Sequence, residues 1–172
     1  MGNRTNDVEI ELADKVAKAN ASKAEIAVSF HSNAGGGDGF EVYYYSSSDK
    51  GKKLAGLCEK YVEQIGQNSR GLKVGDHLYF IRNTTMPAVL VESYFLDHKT
   101  DVQMGNSKEK QEAFGVAYAK AILDYLGIAW KQPEVKGIYK VQVGAFSLRS
   151  NAEALKQDLE EKGYKAFIKE EK

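Results

Sequence analysis

The chain has 172 residues and balances 24 Lys+Arg against 24 Asp+Glu, so no global charge advertises nucleic acid as a partner. Hydrophobic residues at 42% and charged residues at 28% are values of a folded globular chain and argue against disorder. The single cysteine excludes an internal disulfide framework and a Cys-rich zinc knuckle; no run approaches the ~20 apolar residues of a membrane span, and Met1-Gly2-Asn3-Arg4 lacks the apolar core of a secretory leader.

From the N-terminus, Val8, Leu12, Val16 and Ala19 recur at helical spacing between Asp7 and Ala21, with Asn6 or Asp7 available to cap the first turn. Ala24 to Phe30 is predicted to be a short buried strand running straight into His31-Ser32-Asn33 and the loop Gly35-Gly36-Gly37-Asp38-Gly39. Phe40 to Tyr45, dense in β-formers, is a second strand. Leu54, Leu57, Cys58, Tyr61, Val62 and Ile65 share one face of a helix that ends near Gly66. Leu78–Ile81 and Pro87–Val91 follow as strands, the second a continuous apolar run closed by Glu92, as expected of a strand covered on both faces. Phe114, Tyr118, Ala121, Ile122 and Tyr125 mark a long helix stopping at Gly127. This alternation predicts an α/β layer architecture. Composition turns polar at Trp130–Gly137, a linker (129–137) that separates residues 1–128 from 138–172. Beyond it, Ile138–Val143, Ser150–Lys162 and Tyr164–Ile168 predict a β-α-β piece of 35 residues, fewer than the roughly 40 at which independent folding normally needs help.

Two polar residues stand where apolar strands finish, His31 and Glu92. In open α/β sheets ligands collect outside the carboxyl ends of strands, so parallel neighbours would bring an imidazole and a carboxylate to one rim. Imidazole is a common zinc ligand, and a nearby glutamate can take a proton from metal-bound water, whose pKa falls to about 7. Position alone also admits a hydrogen-bonded structural histidine, and a Glu92 that is a surface carboxylate or a partner of Arg82. The other two histidines, His77 and His98, sit in loop-like settings, where solvent exposure is the simpler reading. Asp97 and Asp101 fit a role in bracing the loop after Glu92. Cys58 lies on an apolar helical stripe with no local histidine, as a core residue would. The tyrosines Tyr43–Tyr45 fit strand packing as well as the border of a sugar cleft.

The wording around these residues resembles the zinc-dependent N-acetylmuramoyl-L-alanine amidases. Ser29-Phe30-His31-Ser32-Asn33-Ala34 with Gly39-Phe40-Glu41-Val42-Tyr43-Tyr44-Tyr45 is similar to their second-histidine region. Met86-Pro87-Ala88-Val89-Leu90-Val91-Glu92, with Phe95 and Asp101, is similar to their catalytic-glutamate strand, and Arg4-Thr5-Asn6-Asp7 with Ala19-Asn20 to the segment before the histidine strand. The resemblance runs from Arg4 to about Gly127. It implies a phosphorylase/hydrolase-like fold, a twisted mixed sheet flanked by helices, that hydrolyses the amide between N-acetylmuramic acid and L-alanine in peptidoglycan. His31 would be a Zn2+ ligand, and Glu92 the general base that activates the zinc-bound water and reprotonates the leaving amine. The family's two further ligands, a histidine and a glutamate, belong to an earlier stretch that this chain does not contain. The first strands and helix of the domain are therefore expected to be absent, zinc affinity to be poor, and a strand edge and apolar faces to be exposed.

Ile138-Tyr139-Lys140-Val141-Gln142-Val143-Gly144-Ala145-Phe146-Ser147, then Asn151-Ala152, Leu155 and Gly163-Tyr164, resembles the opening half of a SPOR-type peptidoglycan-binding module, ferredoxin-like in its β-α-β order. That resemblance makes Gln142 and Ser147 candidate glycan contacts. Together the resemblances imply a peptidoglycan hydrolase acting outside the cell or in the wall, with peptidoglycan as partner. The alternative is a wall-binding or regulatory module without catalysis.

Overall fold

A computed structural model describes residues 11–131 and 141–170. The chain divides into two compact units, Met1–Lys131 and Gln132–Lys172. In the first, helix α1 (Leu12–Ala21) precedes strand β1 (Ala27–Asn33), strand β2 (Phe40–Tyr44) and helix α2 (Asp49–Glu63). Strand β3 (Ser69–Val74), the short helix α3 (Tyr79–Asn83) and strand β4 (Ala88–Phe95) come next, then a 3-10 turn at Asp101–Gly105 and helix α4 (Lys108–Tyr125). The four strands form one sheet in the order β1-β4-β2-β3. β1 runs parallel to β4 and β2 parallel to β3, while β2 and β4 are antiparallel. This is the twisted mixed sheet between helices that the family resemblance implied.

Alternation along the strands sorts the side chains into two layers. Val89 and Val91 of β4, with Phe40 and Val42 of β2, face α2 and α4 and close a core with Leu54, Cys58, Val62, Phe114, Ala117 and Tyr118. Ala88 and Leu90 face the other way and meet Ile81 of α3, with Ala27, Tyr43, Leu78 and Phe80 packed around them. Serine caps start both long helices: the Ser48 hydroxyl accepts from the Gly51 N–H, and that of Ser107 from the Lys110 N–H. Helix α1 is tied to the loop after α3 through Asn20, whose amide donates to the Asn83 carbonyl and whose oxygen accepts from the Thr85 N–H. Its predicted start at Asp7, with the Asn6 or Asp7 cap, lies outside the described residues. Cys58 is buried, and burial pushes its thiol up to about 12, as befits a core position.

Several predicted elements are corrected. Leu78–Ile81 is not a strand but the entry to helix α3; a four-residue apolar run does not distinguish a buried strand from one helical turn. The strand beside β2 is instead Ser69–Val74, which sequence patterning did not reveal. Strand β1 is shifted, starting at Ala27 and running through Asn33, and as the edge strand of the sheet it has no buried residue, unlike the buried strand predicted; β4 is longer than predicted and extends through Phe95. His31 and Glu92 therefore lie within the ladder, not beyond it, because backbone pairing continues through residues whose side chains are polar.

In the second unit, residues 141–170 hold helix α5 (Arg149–Glu161), and no strand occurs among the described residues. The predicted strands 138–143 and 164–168 are not realised there; residues 138–140 fall outside the described residues. Val141, Val143, Tyr164 and Phe167 are each at least 65% exposed, and α5 contains no buried residue. Without an apolar layer to cover, these segments gain little from pairing.

Candidate functional site

The parallel register of β1 and β4 pairs His31 with Glu92, and the antiparallel register of β2 and β4 pairs Glu41 with the same Glu92. Partners directly opposite project from the same face. A row of imidazole, carboxylate and carboxylate thus crosses three strands on the face away from α2 and α4. The structure brings His31 and Glu92 together as the sequence suggested, and adds Glu41 beside them.

Two irregularities complete the row. Between His31 and Asn33 the β1/β4 register slips, so that Asn33 pairs with Phe95 and β4 carries one extra residue. Such a bulge changes the face on which the following side chains emerge. Ser93 and Tyr94 turn to α4, where the Ser93 hydroxyl bonds the Tyr118 hydroxyl at 2.7 Å and the Tyr94 ring meets Phe114. Phe95 emerges beside Arg70, 5.4 Å from the guanidinium carbon. β3 carries a second extra residue at Arg70-Gly71, between the Phe40/Ser69 and Val42/Leu72 pairs. Gly71 has φ +84°, a left-handed conformation that glycine adopts without a Cβ penalty. Arg70, next after the Phe40/Ser69 pair, stands against Glu41, with Nε donating to Oε1 at 2.7 Å.

Glu41 is buried, and its other oxygen accepts from Asn33 at 3.1 Å and from the Tyr43 hydroxyl at 2.9 Å. Burial alone would raise its pKa. The hydrogen bonds from Arg70 and Tyr43, with the charges of Arg70 and Lys73, outweigh burial and hold the carboxyl below its ordinary range. Tyr43 is pushed up to about 12 by its own burial and by donating to Glu41. Glu92 differs from its neighbour. Its Oε2 is buried with no hydrogen-bond partner among the described residues, and burial followed by the like charge of Glu41 raises its pKa. It is neither a surface carboxylate nor the partner of Arg82.

The sign of its effect on stability follows. A carboxyl whose pKa rises on folding ionises first in the unfolded chain, so it subtracts stability above the ordinary carboxylate range and nothing well below it. Glu92→Gln is therefore expected to raise the melting temperature at pH 7, the difference closing as pH falls below about 4. Thermal melts followed by circular dichroism across that range check this. Glu41 has the opposite sign: its contribution is present at neutral pH and is lost as the solution is acidified through its depressed pKa.

His31 is exposed, and its Nε2 lies 2.8 Å from the Ser29 hydroxyl. It also borders a shallow depression of about 260 Å3 shared with Phe30, Ser93, Tyr94 and Gln111. The glycine loop between β1 and β2 is fastened to the end of β4 by two carboxylates. Asp97 accepts from the Gly35 and Gly36 N–H groups at 2.7 and 2.9 Å, which holds its pKa low. Buried Asp101 accepts from the Gly39 and Phe95 N–H groups and from the Gln67 amide. At Gly37 an added Cβ would come within 2.6 Å of the Phe95 ring, so only glycine lets the loop lie against that ring.

The remaining sequence candidates lie elsewhere. His98 accepts from the Asp101 N–H at 3.3 Å in the turn after β4, and His77 stands edge-on to Tyr43 at 6.2 Å. Gln142 and Ser147 are exposed in the second unit, Gln142 donating to the Gly144 carbonyl at 3.3 Å. Among the described residues no group of three His, Cys, Asp or Glu side chains could hold a metal ion. A catalytic zinc takes three protein ligands and a water; His31 alone does not meet that requirement, and the described residues do not fit the ion.

A mixed four-stranded sheet flanked by helices defines an α/β protein, and comparison with known proteins makes the class specific. Residues 1–124 match the N-acetylmuramoyl-L-alanine amidase family, and residues 135–172 match the SPOR domain. The chain belongs to the N-acetylmuramoyl-L-alanine amidase family. It is 32% identical over 171 residues to the sporulation-specific N-acetylmuramoyl-L-alanine amidase of Bacillus subtilis (strain 168), covering 96% of this chain and 64% of that protein. It is 37% identical over 136 residues to the endolysin of Bacillus phage SPP1, covering 74% of this chain and 50% of the endolysin. The catalytic domain of CwlV, an N-acetylmuramoyl-L-alanine amidase from Bacillus (Paenibacillus) polymyxa var. colistinus, superposes with a TM-score of 0.66 at 32% identity, covering 73% of this chain and 71% of that one. The chain thus spans about two thirds or less of the curated relatives.

Proposed function

We propose that this chain acts on peptidoglycan, and that its chemistry is directed at the amide between N-acetylmuramic acid and L-alanine, with Glu92 as general base and acid. The observation that carries the reading is Glu92 paired opposite His31, its buried Oε2 without a hydrogen-bond partner among the described residues. An elevated pKa and a free oxygen are what a group needs to take a proton from attacking water and return it to the departing amine. Residues 1–128 form the amidase portion of this reading. Residues 138–172 are a wall-binding portion in which Gln142 and Ser147 contact glycan. Tethering to the wall raises the local concentration of scissile bonds. No helix among the described residues is long and apolar enough to cross a membrane, and the site of action is the cell wall.

The family's Zn2+ would call on His31, but one imidazole is insufficient, so no step is routed through the ion. The consequence is a weak catalyst. Incubated with purified sacculi and added zinc, the chain is expected to release few or no free L-alanine amino termini above a no-protein control; brisk, chelator-sensitive release would overturn this. The absence of a three-donor group among the described residues favours one second reading, a wall-binding module that keeps the cleft without hydrolysis. Co-sedimentation with sacculi that is indifferent to chelator, with every amide left intact, identifies it.

A further inference from the structure

Arg70 is more than a counter-charge for Glu41. Its side chain is 40% exposed while that of Glu41 is 8% exposed. Of its guanidinium donors only the Nε–H is engaged among the described residues. The Phe95 ring supports its planar face, and Glu41, itself held by Asn33 and Tyr43, fixes its other edge. A guanidinium locked on one edge and one face, with its terminal N–H groups uncommitted, is a fork for a planar anion. It stands in the same row as Glu92, one to two strand spacings away, roughly 5–10 Å. An extended peptide covers that distance in two or three residues.

We propose that Arg70 is a specificity residue that binds a carboxylate of the substrate's stem peptide, carried two or three residues beyond the amide presented to Glu92. This rests on the functional reading above. The β4 bulge, which brings the Phe95 ring beside the guanidinium, and a buried hydrogen-bonded carboxylate both hold this one cation in the row, more than neutralising Glu41 would require. The fork takes a carboxylate and not an amide, because an amide offers one acceptor oxygen and places an N–H2 donor against the guanidinium's second donor.

The test is binding, so it does not depend on turnover. The whole chain is titrated by NMR with N-acetylmuramyl-L-alanyl peptides whose second- and third-residue carboxylates are free, and with the same peptides amidated there. The free acids are expected to bind about tenfold tighter than the amides, and Arg70→Gln should remove that preference. Because Arg70→Gln strands the buried Glu41 charge, the double variant Arg70→Gln/Glu41→Gln, which removes both charges, is measured alongside and should show the same loss. Equal affinity of the wild-type chain for acid and amide, or a preference that survives in the double variant, overturns the role of Arg70 and leaves the peptidoglycan reading standing. Failure of both peptides to bind counts against the functional reading itself.

Discussion

Glu92→Gln is expected to cut amide hydrolysis by a factor of about 10²–10⁴, the range over which a positioned general base contributes. Since the described residues do not assemble a metal site, the measurement is best made in a chimera. Residues 27–127 of this chain replace the equivalent stretch of the CwlV catalytic domain, which matches this chain with a TM-score of 0.66, and release of L-alanine amino termini from purified peptidoglycan is followed with and without the substitution. The size of the effect has a structural reason. Glutamine preserves the shape and the ladder position between His31 and Glu41, so what is lost is the ability to take and return a proton. An unchanged rate in the chimera would remove Glu92 from the chemistry. The predicted gain in stability of the same variant supplies an internal control. A residue that is tuned for proton transfer at the expense of folding should give back stability when neutralised.

The largest stability effect is expected at Asp101. Its carboxylate, 5% exposed, accepts from Gly39 at 2.8 Å, Phe95 at 2.6 Å and Gln67 at 2.7 Å. Asp101→Ala leaves two backbone N–H groups and one amide donor buried without acceptors, at about 1–3 kcal/mol each. A total near 4 kcal/mol is a large share of the 5–15 kcal/mol that typically holds a domain together. The melting temperature should fall on the order of 15 °C. Asp101→Asn should cost about half as much. Its single carbonyl oxygen can still receive Gly39 and Phe95, which share Oδ2 in the wild type, while its N–H2 opposes the Gln67 amide. Equilibrium denaturation of the two variants checks both the size and the order; a loss below 1 kcal/mol for the alanine would show that water replaces the carboxylate.

The parts of this fold that were legible in sequence are those whose pattern repeats over many residues. Helices α2 and α4 announce themselves by apolar stripes, and β4 by the run Ala88–Val91. The pairing of His31 with Glu92 was legible because both follow apolar strands that could lie parallel. Strand β3 was not, because its bulge places Arg70, Gly71 and Lys73 where alternation would be sought. Without β3 there was no way to see that Arg70 meets Glu41, a contact between residues 29 apart. Glu41 itself carried a signal: a carboxylate between Phe40 and Val42, both fully buried, is an expensive residue for a strand centre unless something holds it. Helix α3 was misread for the opposite reason, being too short for a period to show. The strands read at 138–143 and 164–168 rested on local alternation, and alternation specifies a sheet only when another strand and an apolar layer are present to receive it.

The β4 bulge gives the cleft an arithmetic character. Phe95 shares Glu92's side of the sheet because β4 is one residue longer than β1 between the His31/Glu92 and Asn33/Phe95 pairs; under strict alternation a residue three beyond Glu92 would face the helices. Matching β1 and β4 residue for residue, without that extra position, would consequently assign the ring to the wrong face of the sheet, although every residue identity would look in order.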